Sequence, residues 1–529
     1  MKHIFFISLL LYYFFCTSVF SSQNLNNDIS KSIGFDNSEI KILSSEKKNF
    51  KPFDCKDLNT KHLRINKKNE CLIIQKLNNK YKVKPQKIDP NVWNKPQLLR
   101  YLDDKSGGKI ITHTWNNIVK WGGNSVKQPF SHLVIINVTD LKKLFKKSFE
   151  KISSNHLTIP LTARRLDTSD IDNDGNNEII YLSNKEDGRN RNNSWKDVNY
   201  FYHTQKKYLK RFGTSHFSHD LMNLDFNKDG YIEIIDYFYG QGEPNALEVC
   251  DLKNTKCITN KEIGEFVDIG FNHIFPSKNG GTIFGGCPGL GDTSFCWSNI
   301  KFDSYKITFS KIDQYKFKPK PKAKAKFKIW TGDINYKPGY WIEGSNKTMF
   351  KMADRAWIST FIDFNNDGFF DTIAIEKEVV CKRKNSSKPF NRSGGDCNDF
   401  ASIYVFKNKN DEKFEKHQVL ETSINDAFSI EKADINKDGT TDLYGLVQGY
   451  YNPWMACNYP QLKSIYLNKN NAFFAKASEN FIRSNFGLYG CERASSFFKK
   501  GKQYYRLFIT TPYPKSEIAY LGIENYTQK

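Results

Sequence analysis

Asp170-Ile-Asp172-Asn-Asp174-Gly175-Asn-Asn-Glu178 is repeated in kind three more times along the chain. The other copies are Asp225-Phe-Asn227-Lys-Asp229-Gly230-Tyr-Ile-Glu233, Asp363-Phe-Asn365-Asn-Asp367-Gly368-Phe-Phe-Asp371 and Asp434-Ile-Asn436-Lys-Asp438-Gly439-Thr-Thr-Asp442. Oxygen-bearing side chains at positions 1, 3 and 5 converge when the chain curls. Gly at position 6 permits the sharp turn, and the acid at position 9 closes the shell. This is the spacing of a calcium loop. All four copies keep the five positions, which predicts about four structural Ca²⁺ sites and a repeat architecture.

An EF-hand would need a bidentate Glu at position 12 and a helix on each side. Position 12 is Tyr181, Asp236, Ala374 and Gly445. Each loop is followed instead by a short apolar run rich in β-branched and aromatic residues: Glu178-Ile-Ile-Tyr-Leu182, Glu233-Ile-Ile-Asp-Tyr-Phe-Tyr239, Asp371-Thr-Ile-Ala-Ile375 and Asp442-Leu-Tyr-Gly-Leu-Val447. Such runs read as strands, so each loop is expected to turn between two strands. The pattern resembles the FG-GAP/VCBS repeat, the unit of integrin-α-type β-propellers. Tyr404-Val-Phe-Lys-Asn-Lys-Asn-Asp-Glu-Lys-Phe414 and Tyr466-Leu-Asn-Lys-Asn-Asn-Ala-Phe-Phe474 are similar to the strand–turn–strand that ends such repeats. The resemblance covers roughly residues 98–525. It implies an all-β propeller with one loop per blade, the calcium being structural.

The loop starts are separated by 55, 138 and 71 residues. The middle gap is close to two units, and Asn272–Phe284 sits in it like a loop and strand without the acids. Lys105–Ile111 and Phe498–Ile509 read as two more degenerate copies. Four intact and about three degenerate units predict about seven blades, with six to eight allowed.

Residues 1–21 read as a secretory signal, with Lys2 and His3 before the apolar run Ile4–Phe15. Residues 22–95 are polar and read as a largely flexible leader, and 96–529 as the propeller. No later segment is long and apolar enough to cross a bilayer. The mature chain is therefore expected to be secreted or otherwise extracytoplasmic. Cys16 leaves with the signal, and the remaining cysteines fall into neighbours: Cys55/Cys71, Cys250/Cys257, Cys287/Cys296, Cys381/Cys397 and Cys457/Cys491. Export makes disulfides the default, while sequence leaves their connectivity open.

The chain of 529 residues carries a net charge of +22. Thirteen of its acids lie in the four loops, and four bound Ca²⁺ would raise the charge to about +30. Such a field attracts anionic polymers or membrane surfaces; a Lys- and Asn-rich composition accounts for the same charge without a partner. Between Lys316 and Lys328 every second residue is Lys, including Lys320, Lys322, Lys324 and Lys326. An extended chain would align these ammonium groups roughly 6–7 Å apart. The stripe reads either as a dock for an acidic polymer or as a solvated linker. Tyr450, Tyr451 and Trp454 could stack on sugar rings or pack under a Cys457 staple. His216 and His219 precede the second loop, but residues three apart on a strand face opposite ways, which argues against shared ligation. No nucleophile-elbow or zinc-protease signature occurs.

These features predict an exported calcium-binding propeller that acts as a binding or adhesion module. The expected partner is a carbohydrate, an acidic surface polymer or a protein, with no specific nucleic acid. The alternatives are a polysaccharide lyase or hydrolase on the same scaffold, and a protein-partner module of an envelope complex.

Overall fold

The apolar runs after the four loops become the strands Glu178–Ser183, Glu233–Phe238, Asp371–Lys382 and Asp442–Val447. Each pairs antiparallel with the strand that precedes its loop. Ile179, Ile180, Tyr181 and Leu182 are all buried. A strand covered on both faces has no solvent side, which is why these runs are continuously apolar rather than alternating.

The computed structural model describes residues 44–50, 53–55, 63–64, 70–78, 96–116, 130–138, 140–145, 152–159, 163–183, 199–213, 218–238, 246–254, 256–260, 273–277, 280–286, 294–303, 306–309 and 313–316. It further describes 340–342, 349–382, 397–410, 413–422, 427–447, 465–489, 491–511 and 518–526. The signal segment 1–21 and Lys320, Lys322, Lys324, Lys326, Tyr450, Tyr451, Trp454, Cys287 and Cys457 lie outside the described residues.

Among the described residues there are seven sheets of four or five strands, plus one two-stranded sheet. The first strand of each blade is Pro96–Asp104, Ala163–Ser169, Ser218–Leu224, His273–Ser277, Met349–Ile362, Ala427–Ala433 and Cys491–Lys500. The first six of these pack one on the next. Asp442–Val447 of the sixth blade then packs on Cys491–Lys500, which returns to Pro96–Asp104 and closes the ring. The chain is thus an all-β, seven-bladed β-propeller.

The three degenerate repeats occupy the loop position of the other blades. Asp104 pairs with Gly107, Ser277 with Gly280 and Lys500 with Gln503. Two residues therefore turn the chain in the first and seventh blades, at the position where four other blades have the acidic loop. Gly107 sits at φ 103° and Gly501 at φ 60°, conformations that glycine adopts without steric cost.

The seventh blade takes its fourth strand from the N-terminal side of the chain: Glu70–Asn78 pairs antiparallel with Ile518–Tyr526. Ser44–Phe50 likewise adds an outer strand to the first blade by pairing with Ile152–Ile159. Both lie within the span 22–95 expected to be leader, so part of that span belongs to the blades. The physical reason is Cys71-Leu72-Ile73-Ile74, a buried apolar run set between polar flanks.

The cores lie between blades. Leu99, Ile110 and Val134 of the first blade meet Ile74, Leu507 and Leu521 of the seventh. Tyr101 stacks on Phe498 with ring centroids 4.3 Å apart, and Lys500 Nζ lies 2.6 Å from Asp103. Cys55–Cys71 and Cys250–Cys257 are disulfides, with Cα atoms 5.8 and 4.1 Å apart. Cys296 is also disulfide-bonded, and Cys381 and Cys397 are direct cross-strand neighbours.

Candidate metal centres

Each acidic loop joins the first and second strands of its blade, in the second, third, fifth and sixth blades. All four fold in the same way. Position 4 takes a positive φ: Asn173 at 54°, Lys228 at 59°, Asn366 at 57° and Lys437 at 67°. Gly at position 6 follows at φ 85–87°. Asn tolerates this region better than most residues, whereas the two lysines are held there by the rest of the loop. The Asp at position 1 gathers the turn. Asp170 accepts hydrogen bonds from the Asp174 and Gly175 amides at 3.0 and 2.9 Å. Asp225 and Asp363 repeat the pair, each accepting at 3.1 and 2.9 Å, and Asp434 accepts from Gly439 at 3.3 Å. Asp174, Asp229, Asp367 and Asp438 at position 5 accept the amide two residues on, at 2.8–3.0 Å.

The acid at position 9 is buried in every copy, between 0 and 3% exposed. It binds the amide of position 2 in each loop: Glu178 to Ile171, Glu233 to Phe226, Asp371 to Phe364 and Asp442 to Ile435. Burial pushes Glu178 up to about 8, aided by the carboxylates of Asp172, Asp174 and Asp170. Burial also raises Glu233, and lifts Asp371 to about 7 and Asp442 to about 6. Burial beside other carboxylates thus works against ionisation of each closing acid, and a nearby cation would offset it.

Lysines from neighbouring turns and, for Lys407, from the third strand of the fifth blade bring positive charge to the loops. Lys206 Nζ lies 3.1 Å from Asp172, Lys253 Nζ 3.1 Å from Asp229, and Lys407 Nζ 3.7 Å from Asp367. All are partly exposed pairs of small energetic value.

The loops differ in how closely their ligands gather. Asp170, Asp172 and Asp174 bring one oxygen each within 4.8 Å of the others, as do Asp225, Asp229 and Glu233. Among the described residues no such group of three acids forms in the loops closed by Asp371 and Asp442. There Asn365 and Asn436 donate to Asp367 and Asp438 at 2.7 and 2.6 Å. In the third blade Asn227 instead donates to Glu233 at 2.9 Å.

The residues fit a divalent cation best in the second blade. Asp172 Oδ1 and Glu178 Oε1 are buried without a hydrogen-bond partner. Such orphaned oxygens are costly unless something positive satisfies them. Asp172, Asp174 and Glu178 would hold the ion, with Asp170 shaping the turn. In the third blade Asp225, Asn227, Asp229 and Glu233 would do the same. In the fifth and sixth blades the candidates are Asp363, Asn365 and Asp367, and Asp434, Asn436 and Asp438. Such an ion would tie down each first-to-second-strand turn.

His203 escaped the sequence reading. It ends the third strand of the second blade, one residue beyond the Ile179–Tyr202 pair, and so stands opposite Glu178. Its side chain is 1% exposed and points into the first loop. Only hairpin register could have found it, because it lies 25 residues after Glu178.

Charge also collects on the inner strands. Arg100 of the first blade bonds Asp167 of the second, with Thr168 Oγ1 at 3.4 Å. Glu431 and Lys432 of the sixth blade lie within electrostatic reach of this pair. The Arg100 side chain keeps 39% exposure, so water reaches it within the ring. Among the described residues no helix is long and apolar enough to cross a membrane.

No family model matches the chain, and no curated protein matches it. The solved structures to which the chain is similar include two lyases. One is the polysaccharide lyase Uly1, with a TM-score of 0.39 and 10% identity over 85% of this chain and 94% of that one. The other is the exotype rhamnogalacturonan lyase YesX, with a TM-score of 0.31 and 9% identity over 78% of this chain and 80% of that one. Neither likeness is close enough to transfer an activity.

Proposed function

We propose that the chain is an exported β-propeller binding module whose acidic loops hold structural calcium, and whose ligand is a carbohydrate or an acidic surface polymer. The calcium reading rests on one observation: four loops with a common backbone each bury a carboxylate, and in two of them three acids crowd within 4.8 Å. Carboxylate-rich loops of this kind suit a hard dication, most simply in the third blade, where the three gathered donors are all carboxylates. Calcium would make each turn rigid and so fix the strands that surround the axis.

Two features support an anionic or sugar ligand. The net charge of +22 draws acidic polymers from a distance. The wetted cluster of Arg100, Asp167, Glu431 and Lys432 offers donors and acceptors to hydroxyls and carboxylates.

The test is an array of neutral glycans and uronate-rich or sulfated polymers, in calcium at physiological salt, with each binder then checked for cleavage. Saturable binding to a few structures without product is the expected result. Chain cleavage would replace the binding reading with an enzyme. Binding to every polyanion, lost at higher salt, would reduce the ligand to bulk charge.

A further inference from the structure

The loop of the second blade differs from the other three because a buried imidazole enters it. His203 Nε2 has no hydrogen-bond partner. It lies 3.4 Å from Asp172 Oδ2 and 3.7 Å from Asp174 Oδ2, and Nδ1 lies 3.6 Å from Glu178 Oε1. Asp172, Glu178 and His203 form a cluster of potential ligands in which all three donor atoms fall within 4.8 Å. Asp172 and Glu178 also each carry a buried oxygen without a partner. A metal bound by one nitrogen and several carboxylates, with bonds near 2.1 Å, separates its donor atoms by about 3.4 Å at tetrahedral angles. The spacings of 3.4 and 3.7 Å from Nε2 lie close to that value.

From this geometry we infer that the second-blade loop is a mixed nitrogen–oxygen site that takes a borderline first-row dication, zinc or a similar ion. The ligands are His203 Nε2, Asp172 and Asp174. Calcium coordinates oxygen, while imidazole favours the later first-row metals, so the histidine changes which ion the loop prefers. Glu178, which would be a ligand in an all-oxygen shell, takes a different role around a histidine-bound ion. In the metal-free arrangement Nδ1 accepts the Lys206 amide over a long 3.3 Å. Taking a metal on Nε2 places the ring proton on Nδ1, where the Glu178 carboxylate is the acceptor and the Lys206 amide turns to water. A carboxylate that orients the far nitrogen of a metal-bound histidine is a recurrent feature of zinc sites. The Lys206 ammonium, 3.1 Å from Asp172, is on a side chain 57% exposed and can withdraw as the ion binds. The third blade places Asp251, not a histidine, opposite its closing acid Glu233, so its loop remains all-oxygen.

The assignment rests on the reading that the loops bind divalent cations, and the experiment separates the two. The full mature chain, stripped with chelator, is titrated with zinc against a competing chelator. Calcium stoichiometry is measured in parallel, and the zinc-loaded protein is examined by zinc-edge X-ray absorption. The expected result is one tight zinc with a nitrogen scatterer. His203→Asn should weaken that zinc roughly tenfold or more and remove the nitrogen signal, while the third-blade loop still takes calcium. Zinc absorption on the unaltered chain decides the matter even if the variant folds poorly. Calcium binding with no nitrogen-bound zinc overturns the assignment and leaves the calcium reading intact. Zinc affinity unchanged in a folded His203→Asn variant also overturns it. Absence of both metals overturns both readings.

Discussion

The loops of the second and third blades close with Glu, those of the fifth and sixth with Asp, and one methylene separates two kinds of structure. In the Glu loops one carboxylate oxygen binds the position-2 amide, at 3.0 Å for Glu178 and 2.7 Å for Glu233. The other oxygen faces the loop interior, without a hydrogen-bond partner in Glu178 and accepting from the Asn227 side chain at 2.9 Å in Glu233. In the Asp loops both oxygens are engaged by backbone. Asp371 accepts from Phe364 at 3.2 Å and Asn408 at 2.8 Å. Asp442 accepts from Ile435, Asn436 and Asn468 at 2.8, 3.2 and 2.7 Å. The shorter side chain therefore staples the loop to the adjacent strand, while the longer one presents an oxygen to the acids above it. In one pair of blades the closing acid is thus held by backbone hydrogen bonds on both oxygens, while in the other one oxygen is left facing the loop acids, where the proposed cation would sit.

The largest expected effect tests the staple. Asp442→Ala leaves three buried amides without their acceptor. Each such loss costs roughly 1–3 kcal/mol, less whatever water recovers, so the fold should lose on the order of 3–5 kcal/mol. Urea unfolding should report the same loss in calcium and in chelator. A loss confined to calcium would put Asp442 on the metal and erase the distinction between the two pairs.

Glu178→Gln tests the other half. An ion present at a hundred times its dissociation constant stabilises the fold by about 2.7 kcal/mol per site. The variant should forfeit up to one such increment when the second-blade loop is saturated with the dication it takes, and bind that ion more weakly. In chelator it should melt close to the parent chain. Equal destabilisation in both conditions would make Glu178 a staple like Asp442.

The features legible in the sequence are the local ones. Each loop gathers its ligands within nine residues, so the repeat, the turn glycines and the blade number could be read from spacing. The degenerate copies at Lys105, Asn272 and Phe498 were legible because their strands kept the period after the acids were gone. Ring closure was not. Glu70–Asn78 finds its partner strand at Ile518–Tyr526, across nearly the whole chain, and no local signal announces such a pairing. The Glu/Asp difference was visible as letters, but its meaning depends on the amides of Asn408 and Asn468, which arrive from the third strands. His203 was missed for the same reason.

A second histidine sets the pH background for these comparisons. His113 of the first blade is fully buried, its ring nitrogens have no hydrogen-bond partner, and burial pushes it down to about 3. The folded state binds this proton less readily than the unfolded chain. The contribution of this group is therefore complete above the unfolded value of about 6.5 and is lost as pH drops toward 3, whereas the raised loop carboxyls act in the opposite sense. At pH 5 the loss should be about 2 kcal/mol. His113→Phe should flatten that acid limb of the stability curve. An unchanged limb would assign it to other groups and require the loop variants to be compared at pH 7 alone.

The smallest effect concerns the lysines that stand beside the acids. Lys206 and Lys407 each neutralise one carboxylate in the absence of metal, one in a Glu loop and one in an Asp loop. A cation that binds the same carboxylate must displace the ammonium. Lys206→Ala should therefore tighten ion binding in the second blade, by roughly fivefold at most, since exposed pairs contribute little. Lys407→Ala should leave total ion affinity nearly unchanged if the fifth-blade loop is held chiefly by Asp371 and its amides. Calorimetric titration of the two variants side by side resolves this. Equal tightening would show that the Asp loops depend on a cation as much as the Glu loops do, and that the missing methylene shifts the ligand without removing it.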